Sequence, residues 1–225
     1  MKKYSILATL VLIIFSLSTI DLFGQGKRRA GEEPFPAPAS YANVTANESA
    51  FIALFEDKNI GTTHIYAPRS GSVSKDYPHQ GTVISTAFQR FFPGDIARTM
   101  NIKGGEPVAL YSIRGGNGEL YVIRTTDFNG NHSIGLYALN NESVRKVKDL
   151  AHLKCVESGC RQMDSWLQDV DGDTRLDIIQ KTTYIKTGKK NNKERTRIYS
   201  IQRNGTVKPA KKLNVEAGDY QMEKM

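Results

Sequence analysis

The sequence predicts an all-β body over residues 50–225, an array of short antiparallel strands arranged as a propeller or as a sandwich. Three observations carry this expectation. From Ala50 onward, apolar runs of four to ten residues alternate with clusters of Gly, Asn and Asp, and no stretch keeps a long helical period. Hairpin-type turn signals separate the runs: Asn129-Gly130, Asn204-Gly205 and the glycine-rich Arg114-Gly115-Gly116-Asn117-Gly118. Finally, Asp127-Phe128-Asn129-Gly130-Asn131-His132-Ser133-Ile134-Gly135-Leu136-Tyr137 aligns without a gap on Asp169-Val170-Asp171-Gly172-Asp173-Thr174-Arg175-Leu176-Asp177-Ile178-Ile179, 42 residues further on. A period near 42 is the size of one propeller blade, ~40–50 residues in familiar repeats. Residues 50–225 hold about four such units, the lower limit of the ~4–8 blades of a propeller, so a sandwich stays open beside it.

Residues 1–24 read as a secretory signal. Lys2 and Lys3 give a basic start, residues 6–15 are almost wholly apolar, and Ser16-Leu17-Ser18-Thr19 is a more polar exit toward cleavage near Gly24-Gln25. The apolar core is short for a membrane span. Residues 25–49, with Glu32-Glu33-Pro34-Phe35-Pro36-Ala37-Pro38, have no apolar period and read as a flexible linker. Strands are expected at 51–55, 63–67, 82–88, 107–113, 120–126, 134–139, 165–168, 176–185 and 195–202. Residues 93–100 and 144–153 admit helix. Hydrophobic residues at 39% and charged residues at 24% are the balance of a globular chain and exclude a wholly disordered one.

The most informative stretch is the loop that opens at Asp169. Carboxylates Asp169, Asp171, Asp173 and Asp177 occupy its positions 1, 3, 5 and 9. Like charges crowded this way repel one another unless a hard cation sits among them. Calcium takes 6–8 oxygens, supplied by alternate side chains and a backbone carbonyl. Gly172 permits the turn, Leu176 pins the loop to a core, and Arg175 offers its carbonyl, which completes a metal set of Asp169, Asp171, Asp173, Arg175 and Asp177. The competing reading is an acidic turn with Asp and Gly as ordinary turn formers. An EF-hand is disfavoured, because Thr174 and Gln180 stand where that loop needs Gly and Glu, and the exit is rich in β-formers.

Residues 169–179 resemble the calcium loop of FG-GAP/VCBS β-propeller repeats, D-x-(D/N)-G-D-G-x-x-D followed by an apolar strand. The resemblance implies calcium as a structural ion held by Asp169, Asp171, Asp173 and Asp177, and a role in adhesion or carbohydrate recognition as in some members of that family. It covers about 20 residues, and Thr174 stands where the family has its second Gly. The copy at 127–137 is degraded: Asn129, Asn131 and Gly135 replace acids, so Asp127, Asn129 and Asn131 are expected to form a structural turn or a weak site.

Cys155 and Cys160 are the two cysteines, and in an exported chain this spacing predicts a disulfide that stiffens the approach to Trp166 and the acidic loop. Net charge is +8, with cations concentrated after residue 181. Lys186, Lys189, Lys190, Lys193 and Arg195 read as a protruding basic hairpin, a candidate for anionic polysaccharide or another envelope component. Export and the lack of an aromatic-interleaved basic motif make nucleic acid the weakest partner.

No catalytic residues are expected. His64, His79, His132 and His152 are scattered without metal-ligand spacing, and there is neither a nucleophile elbow nor a phosphate-cradling loop. The function expected is an exported, calcium-binding module for adhesion or scaffolding at the cell envelope, secreted or periplasmic. The alternative is a secreted carbohydrate-active hydrolase or its accessory subunit, which two facing carboxylates in a cleft would favour.

Overall fold

The computed structural model describes residues 46–224 apart from 59–60, 70, 72, 116–117 and 187–192. The signal segment and nearly all of the linker, together with Lys189 and Lys190, lie outside the described residues.

The chain is all-β, and its described residues form one open sheet of 11 strands. In chain order the elements are α1 (Glu48–Ile52), β1 (Glu56–Asp57), β2 (Thr63–Ile65), β3 (Thr82–Val83), a 3-10 turn (Thr86–Phe91), α2 (Gly94–Thr99), β4 (Val108–Gly115), β5 (Gly118–Thr126), β6 (His132–Asn140), β7 (Ser143–Val156), β8 (Gly159–Gln168), β9 (Asp177–Lys186), β10 (Lys193–Ile201) and β11 (Val207–Pro209). From β4 to β11 each strand pairs antiparallel with the next, a continuous meander. Propeller blades would be separate sheets. Here the sheet instead curls over itself, so that Leu120 and Val122 of β5 share one core with Tyr199 and Ile201 of β10. The architecture is therefore sandwich-like.

Period-two alternation assigns the faces. Inward residues such as Leu110, Val122, Leu136, Leu167 and Ile178 form the inner core. Outward residues Ala109, Tyr121, Ile123 and Tyr137 are capped by α1, the 3-10 turn and α2 through Phe51, Phe88, Phe91, Phe92 and Met100. Outward Trp166 and Ile179 are covered by the C-terminal segment through Tyr220, with Val215 and Met222 beside them.

The sequence expectations need three corrections. Residues 51–55 are not a strand: α1 spans Glu48–Ile52, and the Asn47 side chain accepts from the Ala50 amide at 2.9 Å. A short apolar run fits either state, and the Asn cap decides it. Helix at 144–153 gives way to β7, which pairs with β6 and then β8; two register shifts hide its alternation. The expected strand at 82–88 keeps only β3 before the 3-10 turn begins. At the start of the described residues, Ala46 and Ala50 pack on the outer core. Among the described residues no helix is long and apolar enough to cross a membrane.

Candidate functional site

The acidic loop connects β8 to β9. Leu167 and Ile178, cross-strand partners in the inner core, fix its two ends. Gly172 has φ 75° and Thr174 φ 66°, both left-handed. Thr174 thus adopts the conformation that a glycine would take at little cost, and this turn keeps it despite the side chain.

One oxygen each of Asp169, Asp171 and Asp177 lies within 4.8 Å of the other two. Two oxygens on one calcium, at 2.3–2.6 Å each, sit at most roughly 5 Å apart, so these three fit a single ion. Asp177 is 4% exposed. Burial pushes its carboxyl above the ordinary value, hydrogen bonds from Ser200 and the Val170 amide oppose this, and Asp171 and Asp173 add like-charge repulsion. Asp169 serves the turn as well, accepting from the amides of Gly172 at 2.8 Å, Asp173 at 3.2 Å and Thr174 at 2.8 Å. Asp171 accepts the Asp173 amide at 3.2 Å. Asp173 stands outside the three-carboxylate cluster, with its carboxylate paired to the Arg175 guanidinium. That contact and the Arg175 amide hold the Asp173 carboxyl below its usual range. The three clustered groups are all carboxylates, a donor set that could hold a metal ion and that suits a hard cation.

The degraded copy links β5 to β6 and is closed on itself. The Asp127 carboxylate accepts from the Asn129 amide at 2.8 Å, the Asn131 amide at 3.0 Å and the Asn131 side chain at 3.1 Å. Although burial raises the Asp127 carboxyl, these bonds outweigh it and the net shift is downward. This is a structural turn.

Cys155 and Cys160 are bonded, as expected. They are cross-strand partners at the end of the β7–β8 hairpin. Since the acidic loop lies at the other end of β8, the disulfide does not stiffen that loop. It sits instead beside β9, where Cys160 pairs with Ile185. Of the basic candidates, Lys186 ends β9 and Arg195 pairs with Thr182 inside the sheet; Lys193 opens β10 opposite Tyr184.

Three of the four histidines, His64, His79 and His132, are held by hydrogen bonds within the fold. Asp164, 1% exposed, accepts from His64 Nε2 at 3.1 Å, the Glu223 amide at 2.9 Å and the Gln162 side chain. His64 also stacks on Trp166, ring centroids 4.4 Å apart. This pair and Lys181, which donates to the Tyr220 carbonyl at 3.0 Å and pairs with Glu194, latch the C-terminal segment onto β8 and β9. Nothing in the sequence pairs residues 64, 164 and 223; the latch exists because β2 takes over the edge of β8 where β7 leaves it.

Comparison with known protein families, with curated proteins and with solved structures finds no match in any of the three.

Proposed function

We propose that this chain is an exported binding module whose β8–β9 hairpin is fixed by a calcium ion held by Asp169, Asp171 and Asp177. The observation that carries this is the convergence of three carboxylates, one of them buried, at a spacing that one ion spans. A cation there would neutralise the repulsion that now falls on Asp177, and its chemistry would be structural: it would tie the loop to the inner core. The resemblance of residues 169–179 to FG-GAP/VCBS loops supports calcium, with Asp173 free to join if it releases Arg175. The disulfide supports an oxidising compartment, periplasmic or extracellular.

The hydrolase reading has one cleft in its favour, about 390 Å³, with Asp76 and Glu223 on its rim. Both are exposed, and its lining supplies no buried carboxyl to serve as general acid.

Thermal unfolding tests the calcium reading. Calcium at a hundredfold excess over Kd adds ~2.7 kcal/mol to the native state. We expect a clear rise in Tm over chelator for the wild type and none for Asp171→Ala, whose melting in chelator stays near the wild type because the contact of Asp171 with the Asp173 amide is an exposed one. Asp169→Ala should melt lower even in chelator, having lost three amide contacts. A wild type whose Tm ignores calcium overturns the proposal.

A further inference from the structure

Along the inner face, three adjacent strands change character together. From the acidic-loop end, β8 reads Leu167, Ser165, Met163, Arg161; β9 reads Ile178, Gln180, Thr182, Tyr184; β10 reads Tyr199, Arg197, Arg195. The register puts these side by side: Leu167, Ile178 and Tyr199 in one row, then Ser165, Gln180 and Arg197, then Met163, Thr182 and Arg195, then Arg161 and Tyr184. Cross-strand partners share a face. The apolar core therefore runs out into an open, basic stretch of the same concave surface.

That stretch is a groove. A cleft of about 260 Å³ is lined by Arg161, Tyr184, Arg195 and Arg197 over a floor of Met163 and Gln180. A second hollow of about 500 Å³ shares Arg161 and Tyr184 with it and brings in Lys154 and Lys186. Neither lining contains a carboxylate. Of the nearby acids, Glu194 alternates to the opposite face and pairs with Lys181 at 3.0 Å, Asp149 pairs with Lys146 at 3.1 Å, and Glu157 lies in the β7–β8 turn outside both linings. None of the ion pairs among the described residues involves Arg161, Arg195 or Arg197. Tyr184 is 53% exposed, with the Arg161 guanidinium 5.9 Å from its ring centroid. At the inner end, Lys148 lies 3.6 Å from the centre of the Tyr199 ring, and Arg197 reaches the Tyr199 hydroxyl at 3.5 Å. Burial alone would raise this phenol, yet the two cations bring it below its usual value. His152, beside Met163 in the register, is held neutral by burial first and then by Arg161 and Lys154.

We propose that this groove binds a linear anionic polysaccharide, with Arg161, Arg195 and Arg197 taking its carboxylate or sulfate groups and Tyr184 packing on a sugar ring. The inference names a ligand for the binding-module reading and is independent of calcium. Guanidinium groups match carboxylate and sulfate oxygens in forked pairs. Arg195 and Arg197 stand ~6.8 Å apart along β10, and Arg161, two strands over and one row further on, lies about 12 Å from Arg195, so the three meet successive charges of an extended chain. A concave groove admits a thin chain and keeps a flat lipid surface off its floor. A single exposed tyrosine is no ladder for stacked bases. The basic residues of the 187–192 segment are not needed for it.

Dextran sulfate and polygalacturonate are the probes, with neutral dextran as the control, measured by calorimetry in chelator at low salt. Wild type should bind both anionic chains, weaken steeply as salt shortens the Debye length to about 8 Å, and ignore dextran. Arg195→Glu/Arg197→Glu should lose about tenfold or more in affinity. Arg98→Glu/Lys103→Glu, an equal charge change beside α2, should stay within about twofold. Arg195→Gln/Arg197→Gln, milder toward folding, should fall between them, and a Tm near wild type confirms the sheet in each variant. Equal losses in the groove and control variants would reduce the effect to net charge and overturn the proposal. So would no binding of either anionic chain, or tighter binding to a single-stranded oligonucleotide or to phosphatidylglycerol vesicles. Because calcium is absent throughout, failure here leaves the calcium-dependent melting shift standing, and failure of that shift leaves this result standing.

Discussion

His79 should give the chain a measurable loss of stability in mild acid. The ring is 4% exposed. Its Nε2 lies 2.9 Å from the His64 carbonyl, which can only accept, so Nε2 carries the proton and Nδ1 accepts from the Tyr111 hydroxyl at 2.7 Å. The neutral ring is thus satisfied on both sides. Burial lowers its pKa to about 4, more than the His64 carbonyl bond restores, and the cations of Lys58 and Arg124 push in the same direction as burial. A folded value below the unfolded 6.5 means the unfolded chain takes the proton first. The contribution is complete above pH 6.5 and drains away as pH falls toward 4. Each pH unit travelled between those two values removes ~1.36 kcal/mol, so at about pH 4.5 the loss is roughly 2.5 kcal/mol. His79→Gln keeps a donor toward His64 and an acceptor toward Tyr111 but cannot titrate. Urea unfolding at about pH 7 and about pH 4.5 should therefore show a drop in ΔG smaller by roughly 2.5 kcal/mol in the variant than in wild type, the other acids and histidines being common to both. Equal drops would refute the assignment.

Two further outcomes follow from the packing. Replacing Cys155 and Cys160 by Ser opens a very short loop, so urea unfolding of the variant should show a loss of about 2 kcal/mol, with the calcium response unchanged because the acidic loop is at the far end of β8. Ending the chain at residue 213 removes Tyr220 from Trp166 and strips partners from the buried Asp164 and Lys181; the loss should be roughly 3 kcal/mol or more. The chain has one tryptophan, so its emission should shift to the red in the truncated protein, and an unmoved spectrum would count against the strap.

The all-β class was legible because its signals are local. Turn chemistry at Asn129-Gly130 and Asn204-Gly205 and alternation in β5 and β6 depend only on neighbouring residues, and both hairpins form. The departure at residues 144–153 has a non-local cause. Residues 144–153 carry too many polar groups for a clear period, and it is pairing with β6 on one side and β8 on the other that makes them a strand. The 42-residue offset between the two Asp loops is real in the sequence, yet both copies are hairpin connections within one continuous sheet, so a shared turn does not make a shared blade.

The loop and the groove show what linear reading sees of a site. Asp169, Asp171 and Asp177 could be picked out because a turn gathers residues already near in sequence; that Asp173 would pair with Arg175 required coordinates. The basic residues were legible as a run, without the register that sorts them between faces. Counted in a row, Lys193, Glu194, Arg195, Thr196 and Arg197 look like a mixed, solvated hairpin. A strand separates them by parity: Glu194 goes outward to Lys181, while Arg195 and Arg197 go inward to the concave face. The period-two pattern from 193 to 197 was available in the sequence, and it would have split the acid from the arginines. What it could not supply is Arg161, more than thirty residues upstream, brought alongside by the pairing of β8 with β9. The concentration of charge that makes the groove is therefore a property of sheet register, in the same way that the burial of Asp177 is a property of where β9 begins.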